Sequence, residues 1–276
     1  MTQRRTRSTF AEPLTKELNW DIELQPVQVE GHTLSNHQAL VRNDNREVLA
    51  VTKKSYHPAT NERFLEVITR LHEFTGFEVE GYSVFQEGRK VLAFLKNNDM
   101  MNIGGFDSKN YMVVGNSFDC STGFFTGISN VVVRCTNQFS RISMQQNIRH
   151  NKQLSMKLDE LVLFYKRFME EQIALQSILA DWNDRAVEPG TVENFVNHVL
   201  SISSKDISTM KLNHRRSLLE SIGTEMDAMG QTVYGLFNGL THYTSHVVKS
   251  SNKVFGNSLG HPAAINVRAF NYLTNV

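Results

Sequence analysis

The feature that most constrains this chain is a change of hydrophobic period near residue 150. Before it, β-branched and aromatic runs at 37–42, 48–52, 77–85, 91–95, 111–114, 123–128 and 131–135 are separated by turn residues such as Asn43-Asp44-Asn45 and Glu87-Gly88. Short runs so punctuated predict strands joined by hairpins. One helical pattern interrupts them: Phe64, Leu65, Val67, Ile68, Leu71 and Phe74 recur at helical spacing between a cap at Thr60 or Asn61 and a stop at Gly76. After residue 150, Leu154, Leu158, Leu161, Tyr165, Phe168, Gln172, Leu175 and Leu179 alternate four and three apart. That seam predicts a single helix over 152–185, about 50 Å long at 1.5 Å per residue, stopped by Pro189-Gly190.

Packing within the chain is the expected use of the seam, because Val162, Phe164, Ile173 and Ile178 are apolar and lie off it. An intermolecular coiled coil is the alternative. Further helices are predicted at 192–202, 213–229 and 232–249, then a loop over 250–261 and a short terminal helix. The expected fold class is therefore α+β: a mostly antiparallel sheet with one intercalated helix in the N-terminal half, and a helical C-terminal half with one long helix. Residues 1–35 read as an N-terminal arm, 36–150 as the sheet domain, and 151–276 as a helical region that can integrate with the sheet.

Composition narrows the class. With 40% hydrophobic and 21% charged residues, the chain has the profile of an ordered globular protein. Cys120 and Cys135 are its two cysteines, too few for a disulfide framework, so a reducing cytoplasm is expected. Arg4, Arg5 and Arg7 have no apolar run behind them and do not read as a secretory signal. No stretch reaches the roughly 18 apolar residues that a membrane span needs.

Catalytic patterns find little purchase. His242 and His246 stand four apart on a predicted helix, yet the intervening Thr-Tyr-Thr-Ser lacks the glutamate of a zinc-protease helix, and no metal site is expected. Cys120 and Cys135 flank a predicted hairpin near Asp119 and His150, but spacing supplies no base within reach and no oxyanion site. Asp99, Asp107 and Asp119 read as turn formers rather than as a carboxylate set for a divalent cation. Phosphate-loop and dinucleotide fingerprints are missing from the sequence. The expectation is a protein that is not an enzyme and uses no cofactor.

Charge placement points elsewhere. The formal net charge is only +1, yet from Arg134 to Lys157 the chain carries Arg134, Arg141, Arg149, Lys152 and Lys157, with His150, and no Asp or Glu. Cations grouped in this way neutralise phosphates and release counterions, and aromatic faces among them stack on bases. Arg134, Arg141, Arg149, His150 and Lys152 are therefore the candidate nucleic-acid contacts, with Phe139 to stack on a base and Lys53, Lys54, Arg89 and Lys90 as further basic pairs. The competing reading is a solvated sheet edge that uses lysine and arginine to prevent strand addition.

Residues 113–139, VVGNSFDCSTGFFTGISNVVVRCTNQF, resemble the signature of the phage/plasmid-like protein family of unknown function, of the domain of unknown function 932 type. Asn116, Ser117, Asp119 and Ser121 match its Asn-Ser-x-Asp-Gly-Ser segment, with Cys120 in place of the glycine. Arg134, Cys135 and Asn137 answer its Arg-x-x-Cys-x-Asn with altered spacing. Residues 37–64, 147–158 and 232–246 are similar to further family segments in the right order. The resemblance implies a mobile-element context, hence a bacterial cytoplasm, and work alongside DNA replication, recombination or anti-defence. The order of helix, hairpin and strand over 61–114 is also similar to that of single-strand annealing proteins, a fold-level analogy. The functional expectation is a single-stranded DNA-binding protein that assists annealing or recombination and self-associates through the long helix. The alternative is a protein-interaction module, such as an inhibitor of a host defence complex.

Overall fold

The computed structural model describes residues 12–142, 161–202, 208–249 and 253–275, with side chains over 13–140, 165–202, 208–249 and 256–275. The α+β class holds: antiparallel sheets occupy the first part of the chain and helices the second. Residues divide into two compact units that interleave along the chain rather than meeting at residue 150. One takes the chain up to Asn97, Met112–Gly127 and the start of the long helix to Phe168; the other takes Asn98–Tyr111, Ile128–Ile142 and the chain from Met169 on.

The first unit opens with α1 (Glu12–Glu17), followed by β1 (Ile22–Val29), β2 (His32–Arg42) and β3 (Val48–Lys53) in an antiparallel sheet of order β1-β2-β3. Leu24, Leu40 and Ala50 sit side by side across it. Residues 12–35, expected as an arm, thus contribute a helix and a complete strand. Helix α2 (Asn61–Thr75) follows, with the Thr60 hydroxyl accepting from Arg63 N–H at 3.1 Å and Gly76 ending it in the left-handed region. Its Phe64, Val67, Ile68 and Leu71 are fully buried, each contributing about 1.5–3 kcal/mol of transfer free energy.

β4 (Glu78–Phe85) turns through a 3-10 segment at Gln86–Gly88 into β5 (Lys90–Lys96), whose five central residues are all buried. A strand covered on both faces reads as the unbroken apolar run seen at 91–95. After the short β6 (Met101–Ile103) come β7 (Phe106–Ser117), β8 (Phe125–Val132) and β9 (Gln138–Ile142). The second sheet has the order β4-β5-β7-β8-β9, with β6 on β7, and β7 and β8 belong partly to each unit. Within the first unit, Gly115 on β7 has no room for a side chain, since a Cβ there would lie 2.1 Å from the Phe125 ring and 2.7 Å from Leu92.

In the helical part, α3 (Leu161–Asp184) falls within the helix expected over 152–185; 152–160 lie outside the described residues. Tyr165 and Phe168 pack on Phe77 within the first unit, with ring centroids 5.9 and 5.6 Å away. Gln172, Leu175 and Leu179, together with Trp182, are buried in the second, while the off-seam Ile173 is 66% exposed. From Phe168 to Leu179 the seam is therefore core, and those residues are not free for the self-association expected of the helix. α4 (Thr191–Val199) and α5 (Thr209–Met229, capped by Ser208) lead to α6 (Val233–His242). A Cβ on Gly239 would sit 2.4 Å from the Ile222 backbone, so α5 and α6 approach too closely for any larger residue there.

The helix expected over 232–249 changes at Tyr243–Val247 to a π turn, in which Ser245 Oγ accepts from Gln138 N–H and Thr244 donates to Asn266. Tertiary partners, not propensity, select it. The expected loop holds α7 (Lys253–Ser258), and α8 (His261–Thr274) closes the chain. Trp182, Phe237, Phe270 and Phe139 form the aromatic core of this unit. Among the described residues no helix is long and apolar enough to cross a membrane.

Candidate functional site

Several of the cations predicted to contact phosphate are engaged within the fold. Arg89 pairs with Glu47 at 3.0 Å and donates to the carbonyls of Val48 at 3.0 Å and Leu49 at 3.2 Å. Lys90 pairs with Asp119 at 3.2 Å, both side chains mostly buried. Neither is a free cation for a polyanion, because binding one would unpair a carboxylate. Lys53 and Lys54 are exposed. Arg134 is exposed on the turn after β8, donating to the Ala228 carbonyl at 3.3 Å, at the C-terminal end of α5 where a cation is favoured.

Phe139 corrects its expectation. It is 4% exposed, stacked on Phe270 at 5.2 Å and edge-on to Phe237, so its faces are covered and cannot stack on a base. It lies on β9 between Gln138 and Ser140, and the pleat turns it into the core. Arg141 is placed on β9 by its backbone, its side chain outside the described residues; Arg149, His150 and Lys152 lie wholly outside them.

The residues that carry the family resemblance form two turns. In the first unit, Asn116 is buried and donates to the Ala59 carbonyl at 2.9 Å. Ser117 Oγ donates to Thr122 O at 2.7 Å and accepts from Thr122 N–H, while Asp119 accepts from Ser121 N–H at 2.9 Å. Cys120 stands at φ 62°, the left-handed conformation that favours the glycine of the family pattern. The Tyr56 hydroxyl donates to Ser117 O at 3.2 Å. Burial, with the negative charge that Cys120 and Asp119 would carry, pushes the Tyr56 phenol far up. Burial and Asp119 likewise push up the Cys120 thiol against its hydrogen bond with Tyr56, so it remains a neutral thiol rather than a nucleophilic thiolate. Asp119 sits below its ordinary carboxylate range because bonds from Ser121 and the charge of Lys90 outweigh its burial. The whole turn is a closed polar knot.

In the second unit the turn at 133–137 docks on α6 and the π turn. Asn137 donates to the Asn238 carbonyl at 3.3 Å, and His246 Nε2 donates to the Cys135 carbonyl at 3.1 Å. His242 Nδ1 donates a hydrogen bond to Glu225, a carboxylate only 5% exposed, at 3.0 Å. The two imidazoles are 5.0 Å apart but address different partners, and among the described residues no group of three His, Cys, Asp or Glu is placed to hold a metal ion. Burial, reinforced by Glu225, pushes the Cys135 thiol up. Sequence reasoning missed Glu225, whose partner lies 17 residues away, and Tyr56, for which only its place in the resembling 37–64 segment gave a signal.

Two segments apart in sequence, 134–138 and 232–246, thus meet in one unit. A family model described as a domain of unknown function (DUF932) matches residues 48–268, well over half of the chain, and the chain belongs to that family. No curated protein and no solved structure matches the chain.

Proposed function

We propose that this member of the family is a non-enzymatic, cytoplasmic single-stranded DNA-binding protein of a phage or plasmid, assisting annealing or recombination. One observation carries the reading: residues 134–157 hold five cations and no acid in a chain of net charge +1. Phosphate contacts fall to Arg134, Arg141, Arg149 and Lys152, because Arg89 and Lys90 are paired and Phe139 is covered. Arg134 supports the assignment as an exposed cation at the head of the window, held at the base by a helix C-terminus. The two cysteines, both pushed toward neutral thiols, and the divided histidines favour binding over catalysis.

Fluorescence anisotropy with labelled single-stranded DNA tests it. Replacing Arg141 and Arg149 by alanine weakens binding and lowers the slope of log K against log salt by about 1.4, at ~0.7 per lost phosphate contact. Unchanged affinity and slope would sink the assignment. A protein-interaction role is the second reading, favoured by the apolar side chains left exposed on β1 and β2, Leu24, Val29 and Leu34.

A further inference from the structure

The turn after β8 sets the Arg134 guanidinium between two anchors. Its Nη1 donates to the Ala228 carbonyl at 3.3 Å, at the end of α5, and its Cζ lies over the Phe106 ring, 5.6 Å from the centroid. A cation over an aromatic face is drawn to the electrons of the ring. The backbone ties the same turn to the start of β7, because Val133 N–H donates to the Asp107 carbonyl at 2.8 Å. All of these residues belong to the second unit. A long side chain is thereby held in one place, yet it remains exposed.

The surroundings are open and partly apolar. Phe106 is half-buried, and Val133, next to Arg134, is 47% exposed. Ahead of Phe106 the β6–β7 hairpin turns on Gly104 and Gly105, both at positive φ, and a Cβ on Gly105 would meet nothing within 4 Å. The tip therefore carries no side chain to cover the ring. Successive side chains alternate along β7, so Asp107, which accepts from Asn102 at 2.7 Å, faces away from the side that Phe106 shares with the buried Ser108. Asp227, the residue before Ala228, accepts from Gln231 at 3.3 Å.

Neutralising a phosphate does not call for this arrangement, since a lysine on a free stem serves as a point charge. What an arginine seated on an aromatic ring adds is a fixed plane. Guanidinium planes and aromatic rings are the surfaces on which unpaired bases stack. We propose that Arg134, seated on Phe106, is a base-stacking position of the single-strand contact. An unpaired base lies against the guanidinium and the exposed part of the Phe106 ring, with Val133 alongside. The assignment rests on the reading of the chain as a single-stranded DNA-binding protein, and it supplies the aromatic partner that the covered Phe139 does not. It also favours single strands over duplex, in which the base faces are already stacked on one another.

Fluorescence anisotropy of the full chain at one low salt concentration compares labelled oligothymidine with an abasic strand of the same length, which keeps the phosphates and lacks the bases. Wild type is expected to bind the thymidine strand about fivefold more tightly or better, the lower end for one base–aromatic stack. Phe106→Leu, which keeps an apolar side chain on β7, and Arg134→Lys, which keeps the charge, each lower that ratio by about fivefold. Phe106→Tyr, which keeps the ring, retains it. Thermal unfolding checks that the variants are folded, and should Phe106→Leu unfold, Arg134→Lys at its exposed site carries the test. DNA binding with a wild-type ratio of one, or with a ratio that survives either substitution in a folded variant, would overturn the stacking position and leave the phosphate contacts standing. Failure of the wild type to bind either strand would instead remove the DNA-binding reading, and the stacking position with it.

Discussion

The turns at 117–122 and 133–137 share an architecture. Each holds a non-glycine residue at positive φ, Cys120 at 62° and Thr136 at 55°, and each hangs on a buried asparagine that reaches a carbonyl elsewhere in its unit. They differ in what they do with charge. The first turns its carboxylate inward onto Lys90 and leaves no net cation to offer, whereas the second leaves Arg134 exposed and docks through Asn137, Ser245 and His246. The same means of closing a turn thus yields one that seals the sheet and one that heads a basic segment. A family resemblance in the sequence marks both equally.

The largest effects come from removing what seats each turn. Gly115→Val, one residue before Asn116, drives a side chain into Phe125, and Gly239→Val, one residue after Asn238, drives one into Ile222. Each is expected to lower stability by about 3 kcal/mol in denaturant unfolding, near the upper range for overpacking. A cost below about 1 kcal/mol for either would mean that its seat yields and does not define the turn.

Charge comes next. Lys90→Met leaves Asp119 mostly buried without its ion partner and is expected to cost about 2 kcal/mol, while Arg134→Met, at an exposed site, costs about 0.5 kcal/mol or less. Equal losses would erase the distinction between the turns. Because the folded Asp119 carboxyl sits below its ordinary value, its contribution is present above the unfolded pKa of about 3.9 and is lost as pH falls through the folded value. Wild type should therefore lose its stability advantage over Asp119→Asn as unfolding is followed from neutral into acid, and an advantage that persists in acid would contradict the assignment.

The smallest effect separates the backbones. Thr136→Gly should stabilise by about 1 kcal/mol, since a β-branched residue at positive φ is the more strained. Cys120→Gly should gain less, having lost the hydrogen bond with Tyr56. Thermal midpoints rank the two, and the reverse order would place the strain in the first turn.

Elements whose own residues carry the period were legible in sequence: α2 from its helical repeat and Thr60 cap, β5 from its apolar run, and the seam of α3. β1 was not, because IELQPVQV is exposed along much of its length and has no buried face to impose alternation. The π turn depends on Gln138 and Asn266, far away in the chain. For the site, the acid-free window is a property of sequence and could be read there. That Arg89 and Lys90 are taken by Glu47 and Asp119 could not, since those partners lie tens of residues away. Nor does alternation around Phe139 say which face of β9 is the inner one.

The reading of the second turn as the head of a nucleic-acid contact rests most directly on a gel shift of the wild-type protein with single-stranded and duplex DNA at low and high salt. The account predicts a shift of single-stranded DNA at low salt, weaker for duplex and reduced as salt rises. Failure to shift either DNA at low salt would contradict it.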